Sequence, residues 1–164
     1  MSPPMIYTIG HSTHPIDRFI RLLRENAIET LVDVRSVPYS RFNPQYRKRA
    51  LEATLTEAGI GYVYLGESLG GRPGESRGFR PEDLIDYGWI SEQAWYQQGL
   101  DELLDITRES SCAIMCSEEN PAKCHRNLLV GQSLINGSRA QIAHIRGDGS
   151  VEPGESTPQQ KPLF

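Results

Sequence analysis

Short apolar runs alternate along this chain with stretches in which apolar residues recur every three or four positions. The runs are "MIYTI" (5–9), "TLVDV" (30–34), "YVYL" (62–65), "CAIMC" (112–116) and "QIAHI" (141–145), each with the length of a strand. After the first run, Pro15 precedes Ile16, Phe19, Ile20, Leu23 and Ala27 at helical spacing. Asn43 and Pro44 read as an N-cap and first-turn pair for a helix carrying Tyr46, Ala50, Leu51, Leu55 and Ala58, which Gly59 stops. Ser91 is placed to cap a helix carrying Trp95, Leu100, Leu103 and Leu104, a reading that Gly99 weakens. Asn120 and Pro121 repeat the cap pattern for a helix running to Asn136, before Gly137.

Strands that alternate with helices predict βαβ units. The expected fold is α/β and three-layered: a mostly parallel five-stranded sheet with helices on both faces, Rossmann-like or flavodoxin-like. The Gly-rich connection at 66–78 is long for a βα loop, which marks a candidate binding loop. From Gly147 onward the polar "GDGSVEPGESTPQQKPLF" predicts a disordered tail on a single domain spanning 1–146.

Ligands of open α/β sheets bind beyond the carboxyl ends of the strands. There the pattern collects His11 and Ser12, then Asp33 and Arg35, then Glu67 with Arg72 beyond it, then Cys116, Glu118 and Glu119. Cys124, His125 and Arg126 follow in the early turns of the next expected helix. Cys112 starts its strand at the other end and reads as core; His144 also lies off the edge cluster.

Composition narrows the setting. At 38% hydrophobic and 23% charged, the 164 residues suit one globular core. No run is long enough to span a membrane, and the start lacks a secretory pattern. Three cysteines fit a reducing cytoplasm better than a disulfide scaffold. The net charge of −4 conceals a local reversal. Between Asp33 and Glu52 there is no acid, while Arg35, Arg41, Arg47, Lys48 and Arg49 interleave with Tyr39, Phe42 and Tyr46. Such a block is a candidate for holding phosphate or bases, weighed against a solvated helix face with a few packed aromatics.

The segment "CSEENPAKCHR" (116–126) admits several chemistries. A helix N-terminus beside His125 and Arg126 favours a thiolate at Cys124, whereas a merely packed Cys124 is the bland alternative. Cys116, Cys124 and His125, joined by His11 or His14, are soft enough for zinc or iron, but C-x7-C-H matches no finger spacing; haem has no attachment motif here. Asp33, Glu118 and Glu67 could serve a divalent cation beside phosphate-holding arginines. The cysteine-phosphatase loop fails, because six positions after Cys116 stands Ala122 and six after Cys124 stands Val130. No catalytic-triad elbow and no phosphate-binding glycine fingerprint is visible, so no nucleotide cofactor is indicated.

The blocks "YTIGHS", "LVDVRSVPYSRFNPQY", "YLGESLGG" and "MCSEENPAKCHR" resemble the bacterial and archaeal family called domain of unknown function 488. The resemblance implies a soluble α/β protein without an agreed reaction, some of whose relatives have been labelled DNA repair proteins. It places motif positions on His11, Ser12, Asp33, Arg35, Pro38, Ser40, Phe42, Glu118, Cys124, His125 and Arg126. Pro38 and Phe42 would shape their loop. The ending Gln160–Phe164 is also similar to short motifs that dock bacterial sliding clamps.

The expectation is an enzyme acting on a nucleotide or nucleic acid, with Cys124, His125, Glu118 and His11 as catalytic groups. Ser12, Asp33, Arg35, Arg41, Tyr46, Arg47, Arg72 and Arg126 would bind the substrate. The alternatives are a non-catalytic nucleic-acid-binding module linked to repair or replication, or a Cys/His metal or redox protein.

Overall fold

The computed structural model describes residues 3–70 and 87–156. Arg72 and Gln160–Phe164 lie outside the described residues. The strands are β1 (Met5–Gly10), β2 (Thr30–Asp33), β3 (Gly61–Tyr64), β4 (Cys112–Cys116), β5 (Gln141–Ile145) and β6 (Val151–Pro153). They form one sheet in the order β3-β2-β4-β1-β5-β6. The first five are parallel, and β6 pairs antiparallel with β5. The expected three-layer α/β fold is therefore present, with six strands rather than five. The extra strand comes from the segment read as a disordered tail. Its backbone pairs with the exposed edge of β5, a gain that polar composition does not reveal.

Period-two alternation assigns each strand residue to a face. One face carries Ile6, Val32, Cys112, Ile114 and Ile142. It is covered by α3 (Gly66–Leu69), α4 (Tyr87–Ser91), α5 (Ala94–Glu109) and the segment through α6 (Gln132–Asn136). The other carries Ile9, Leu31, Ala113, Met115 and Ile145 under α1 (Ile16–Glu25) and α2 (Lys48–Glu57). The chain leaves β1 toward one face and β4 toward the other. Adjacent β1 and β4 thus flank the switch point where open sheets place their ligand crevice.

Three helices differ from expectation. Asn43 and Pro44 start only a 3-10 turn at Pro44–Tyr46, without a side-chain cap bond, and α2 begins at Lys48. Asn120 does cap, accepting from the Ala122 amide, but the turn it starts covers only Pro121–Lys123. Cys124 is then extended (φ −129°, ψ 141°), and a wide π-helical turn at Arg126–Gly131 leads into α6. Cys124 therefore precedes the helix instead of riding in its first turns. Ser91 ends α4 rather than capping α5, whose N-cap position is Gln93. No helix among the described residues is long and apolar enough to cross a membrane.

Candidate functional site

The switch point is closed by main chain. The His11 amide donates to the Cys116 carbonyl and the Ser12 amide to that of Ser117, each at 2.9 Å. Ser12 adopts a positive φ of 46°, which turns its carbonyl back to accept from His11 Nδ1 at 2.8 Å. Gly10 packs so closely that a Cβ there would collide with the Glu118 carbonyl. The strand-end residues consequently separate into two polar clusters on opposite faces.

On the α1–α2 side, Asp33 is fully buried and pairs bidentately with Arg35: Nε to Oδ1 at 2.9 Å and Nη2 to Oδ2 at 2.8 Å. The Arg35 amide and the Tyr62 hydroxyl also donate to Asp33. Arg35 Nη1 meets His11 Nε2 at 3.3 Å. Because His11 Nδ1 donates to a carbonyl, Nε2 carries the lone pair, so the ring is neutral and accepts from Arg35. Burial, reinforced by Arg35, lowers the His11 pKa to about 4. The ring stacks on Tyr46 at 4.2 Å, and the Tyr46 hydroxyl donates to the His14 carbonyl at 2.5 Å.

These contacts place four of the expected site residues inside the fold. Arg35 and Asp33 are buried and pair with each other, with His11 and Tyr62 as further partners. Tyr46 is a core ring with no exposed surface. His11 stands apart from the cysteines, with both ring nitrogens engaged.

On the other side, the Sγ atoms of Cys116 and Cys124 are in bonding contact, with Cα atoms 7.3 Å apart. His125 Nε2 donates to the Val34 carbonyl at 2.8 Å, which leaves Nδ1 as the lone-pair nitrogen, 3.9 Å from Cys124 Sγ. Burial holds the His125 pKa below the ordinary value. Arg126 is wholly buried. Its Nε donates to Thr8 Oγ1 at 3.1 Å, Nη1 to Cys116 Sγ at 3.0 Å and to the Glu118 carbonyl, and Nη2 to the Glu119 carbonyl. Thr8 Oγ1 also shares a hydrogen bond with His144 Nδ1 at 2.6 Å. Arg126 was expected to face a substrate; instead it is an internal strut.

Thr8 and His144 are the site residues that the sequence reading missed. Their signal was a single polar residue inside each of two otherwise apolar strand runs, which the sheet register sets side by side. Cys112 is core, as expected, at 0% exposure.

Glu118 is exposed and accepts from the Asn120 amide through its carboxylate; its neighbour Glu119 pairs with Arg146. Hydrogen bonds from Arg146 bring the Glu119 pKa down to about 2. Among the described residues no three His, Cys, Asp or Glu side chains converge as a metal site. The set Cys116, Cys124, His125 and His11 is split by the sheet. Two surface hollows lie elsewhere, one between α1 and α2 and one beside β5 and β6.

The basic and aromatic block forms an exposed loop leaving β2. Val37, Tyr39 and Phe42 are 69%, 56% and 81% exposed, half of the exposed large hydrophobics among the described residues. Arg41 lies over the Phe42 ring at 5.2 Å and Arg47 over Tyr39 at 4.6 Å. Arg47 also donates to the carbonyls of Ser40 and Arg41, so it braces the loop as well as charging it. The Lys48 amide donates to the Pro38 carbonyl, and the Tyr64 hydroxyl pins the carbonyls of Arg35 and Ser36.

Fold and site together define a doubly wound α/β protein with a cysteine–histidine cluster at the carboxyl edge of its sheet. The family model for Domain of unknown function DUF488 matches residues 15–132, and the chain belongs to that family. No curated protein and no solved structure matches the chain.

Proposed function

We propose that the chain is a cysteine-dependent enzyme acting on a phosphate-bearing substrate, a nucleotide or single-stranded nucleic acid. One observation carries this reading: His125, whose Nδ1 faces Cys124, is anchored to the Val34 carbonyl, one residue before the basic aromatic loop begins. A base fixed by a third group beside a thiol is the arrangement that activates nucleophiles. In the reduced chain the Cys124 proton passes to Nδ1, which makes the sulfur a thiolate nucleophile. The loop supplies what the buried arginines do not. Arg41, Lys48 and Arg49 are exposed cations, and the open faces of Tyr39 and Phe42 offer stacking surface for bases.

The test pairs binding with turnover, using a labelled single-stranded oligonucleotide and nucleoside triphosphates on the reduced chain. Cys124→Ser abolishes turnover and His125→Asn lowers it about a hundredfold or more. Phe42→Ala with Lys48→Gln weakens binding and leaves kcat unchanged. Turnover that survives Cys124→Ser overturns the cysteine-dependent reading.

A second reading, a non-catalytic nucleic-acid-binding module, draws on the near-complete burial of Cys124 at 5% exposure. It predicts salt-sensitive oligonucleotide binding with no turnover.

A further inference from the structure

Arg126 poses a problem of charge. It is 0% exposed and forms no ion pair with a carboxylate among the described residues. A guanidinium removed from water requires an anion or a full set of acceptors. Its acceptors are a hydroxyl, two backbone carbonyls and the Cys116 sulfur. Of these, only the sulfur can ionise near neutral pH. The charged and titratable groups around that sulfur come from several elements. Arg126 contacts it from the π-helical turn; Cys124 and His125 stand beside it. His144 on β5 reaches Arg126 through Thr8, and the amide of His11, just after β1, donates to the Cys116 carbonyl. The carboxylates of its own loop are spent elsewhere, that of Glu118 on the Asn120 amide and that of Glu119 on Arg146.

We propose that Cys116 and Cys124 form a reversible dithiol–disulfide couple in which Arg126 holds the Cys116 sulfur as a thiolate when the pair is reduced. The couple shares Cys124 with the enzyme reading above and does not depend on the phosphate-bearing substrate.

The oxidant is a low-molecular-weight disulfide. The Cys124 thiol passes its proton to His125 Nδ1, and its sulfur attacks one sulfur of the disulfide. One thiolate leaves and takes the proton back from His125. A mixed disulfide remains on Cys124. The Cys116 thiolate attacks the Cys124 sulfur, the new S–S bond forms, and the second thiolate leaves. Two electrons have passed from the cysteine pair to the disulfide. The Cα separation of 7.3 Å exceeds the 4.4–6.8 Å of ordinary disulfides, so a relaxed bridge draws the 117–123 loop toward the strand. Oxidation also leaves Arg126 facing neutral acceptors alone, which favours the reduced form and keeps the couple reversible.

The experiment uses the full chain, reduced and desalted, then equilibrated with glutathione disulfide against reduced glutathione at a series of ratios. After acid quench and alkylation, digestion at Lys123 and Arg126 puts the two cysteines on separate peptides. The expected product is those peptides joined, with Cys112 still a free thiol and no glutathione attached, reverting as reduced glutathione rises. A second measurement follows thiolate absorbance against pH in Cys124→Ser, which keeps Arg126 in place. It shows one thiolate titrating at least one pH unit below the ordinary ~8.5, and Cys116→Ser lacks it. Glutathione held on a single cysteine with no joined peptides overturns the couple. A Cys116 titration at or above the ordinary value overturns the role of Arg126. Oligonucleotide turnover reads the enzyme proposal separately, since neither measurement contains that substrate.

Discussion

Buried polar side chains at the sheet edge have consequences that single substitutions report. Asp33→Asn keeps the shape but leaves Arg35 buried without its anion. Unfolding in urea should show a loss of about 3–5 kcal/mol. Tyr62→Phe removes one of the four bonds to Asp33 and should cost about 1–2 kcal/mol. Gly10→Ala forces a methyl group into the backbone at Glu118, and the same assay should show at least about 1–3 kcal/mol lost.

The histidines add a pH signature. Burial holds His11 and His144 at about 4 in the folded chain, against about 6.5 in the unfolded one. Above pH 6.5 both states carry neutral rings and nothing is lost. As pH falls from 6.5 toward 4, the unfolded chain takes up protons that the folded chain refuses, so stability falls by up to about 1.4 kcal/mol per pH unit per histidine. Urea midpoints at pH 7.5 and 5 measure this. A flat profile contradicts the neutral, buried tautomers assigned here.

At the scale of elements, Gly99 shows why a local rule can mislead. Glycine inside a helix costs about 1 kcal/mol relative to alanine. In α5, however, a Cβ at 99 would press into Ser68 of α3. Gly99→Ala is therefore expected to lower the thermal midpoint despite its better helix propensity. The expected helix over 121–136 was broken for a comparable reason. Extended backbone at Cys124 brings its sulfur to the end of β4, and the wide turn that follows seats Arg126 under the Glu118 and Glu119 carbonyls. β6 covers the edge of β5 through three antiparallel partner positions. Truncation after Asp148 bares that edge, and size-exclusion chromatography should show self-association together with a lower unfolding midpoint.

At the scale of the molecule, charge is unevenly placed on a chain of net −4. The acid-free stretch between Asp33 and Glu52 holds the braced, exposed loop that precedes α2. If that loop docks single strands, Tyr39→Ala and Phe42→Ala each weaken oligonucleotide binding about tenfold, and affinity falls steeply with salt. Both rings are solvent-facing, so circular dichroism and the unfolding midpoint should stay unchanged. Duplex binding equal to single-strand binding argues against the stacking role.

The hydrophobic pattern by itself determined five parallel strands, the helices between them, the core position of Cys112 and the list of chemistry-bearing residues at one sheet edge. Those features follow from local periodicity, which a single chain displays in its own order. The tertiary structure decided which residues meet. Strand order placed β4 between β1 and β2, and side-chain alternation then sent Asp33 to one face and Cys116 to the other. Residues adjacent in the edge list became two clusters separated by the sheet. Arg35, which read as an anion binder, pairs with Asp33 two residues away, and Arg126 spends its donors inside the fold on Thr8, Cys116 and the Glu118 and Glu119 carbonyls. Tyr46 turned inward because His11 and Phe19 offered it a stack. Val151–Pro153, within the expected tail, became a strand because β5 had an unpaired edge. Apart from the local Arg35–Asp33 pair, these outcomes depend on long-range pairing, whose energy lies in the partner and not in the residue that seeks it.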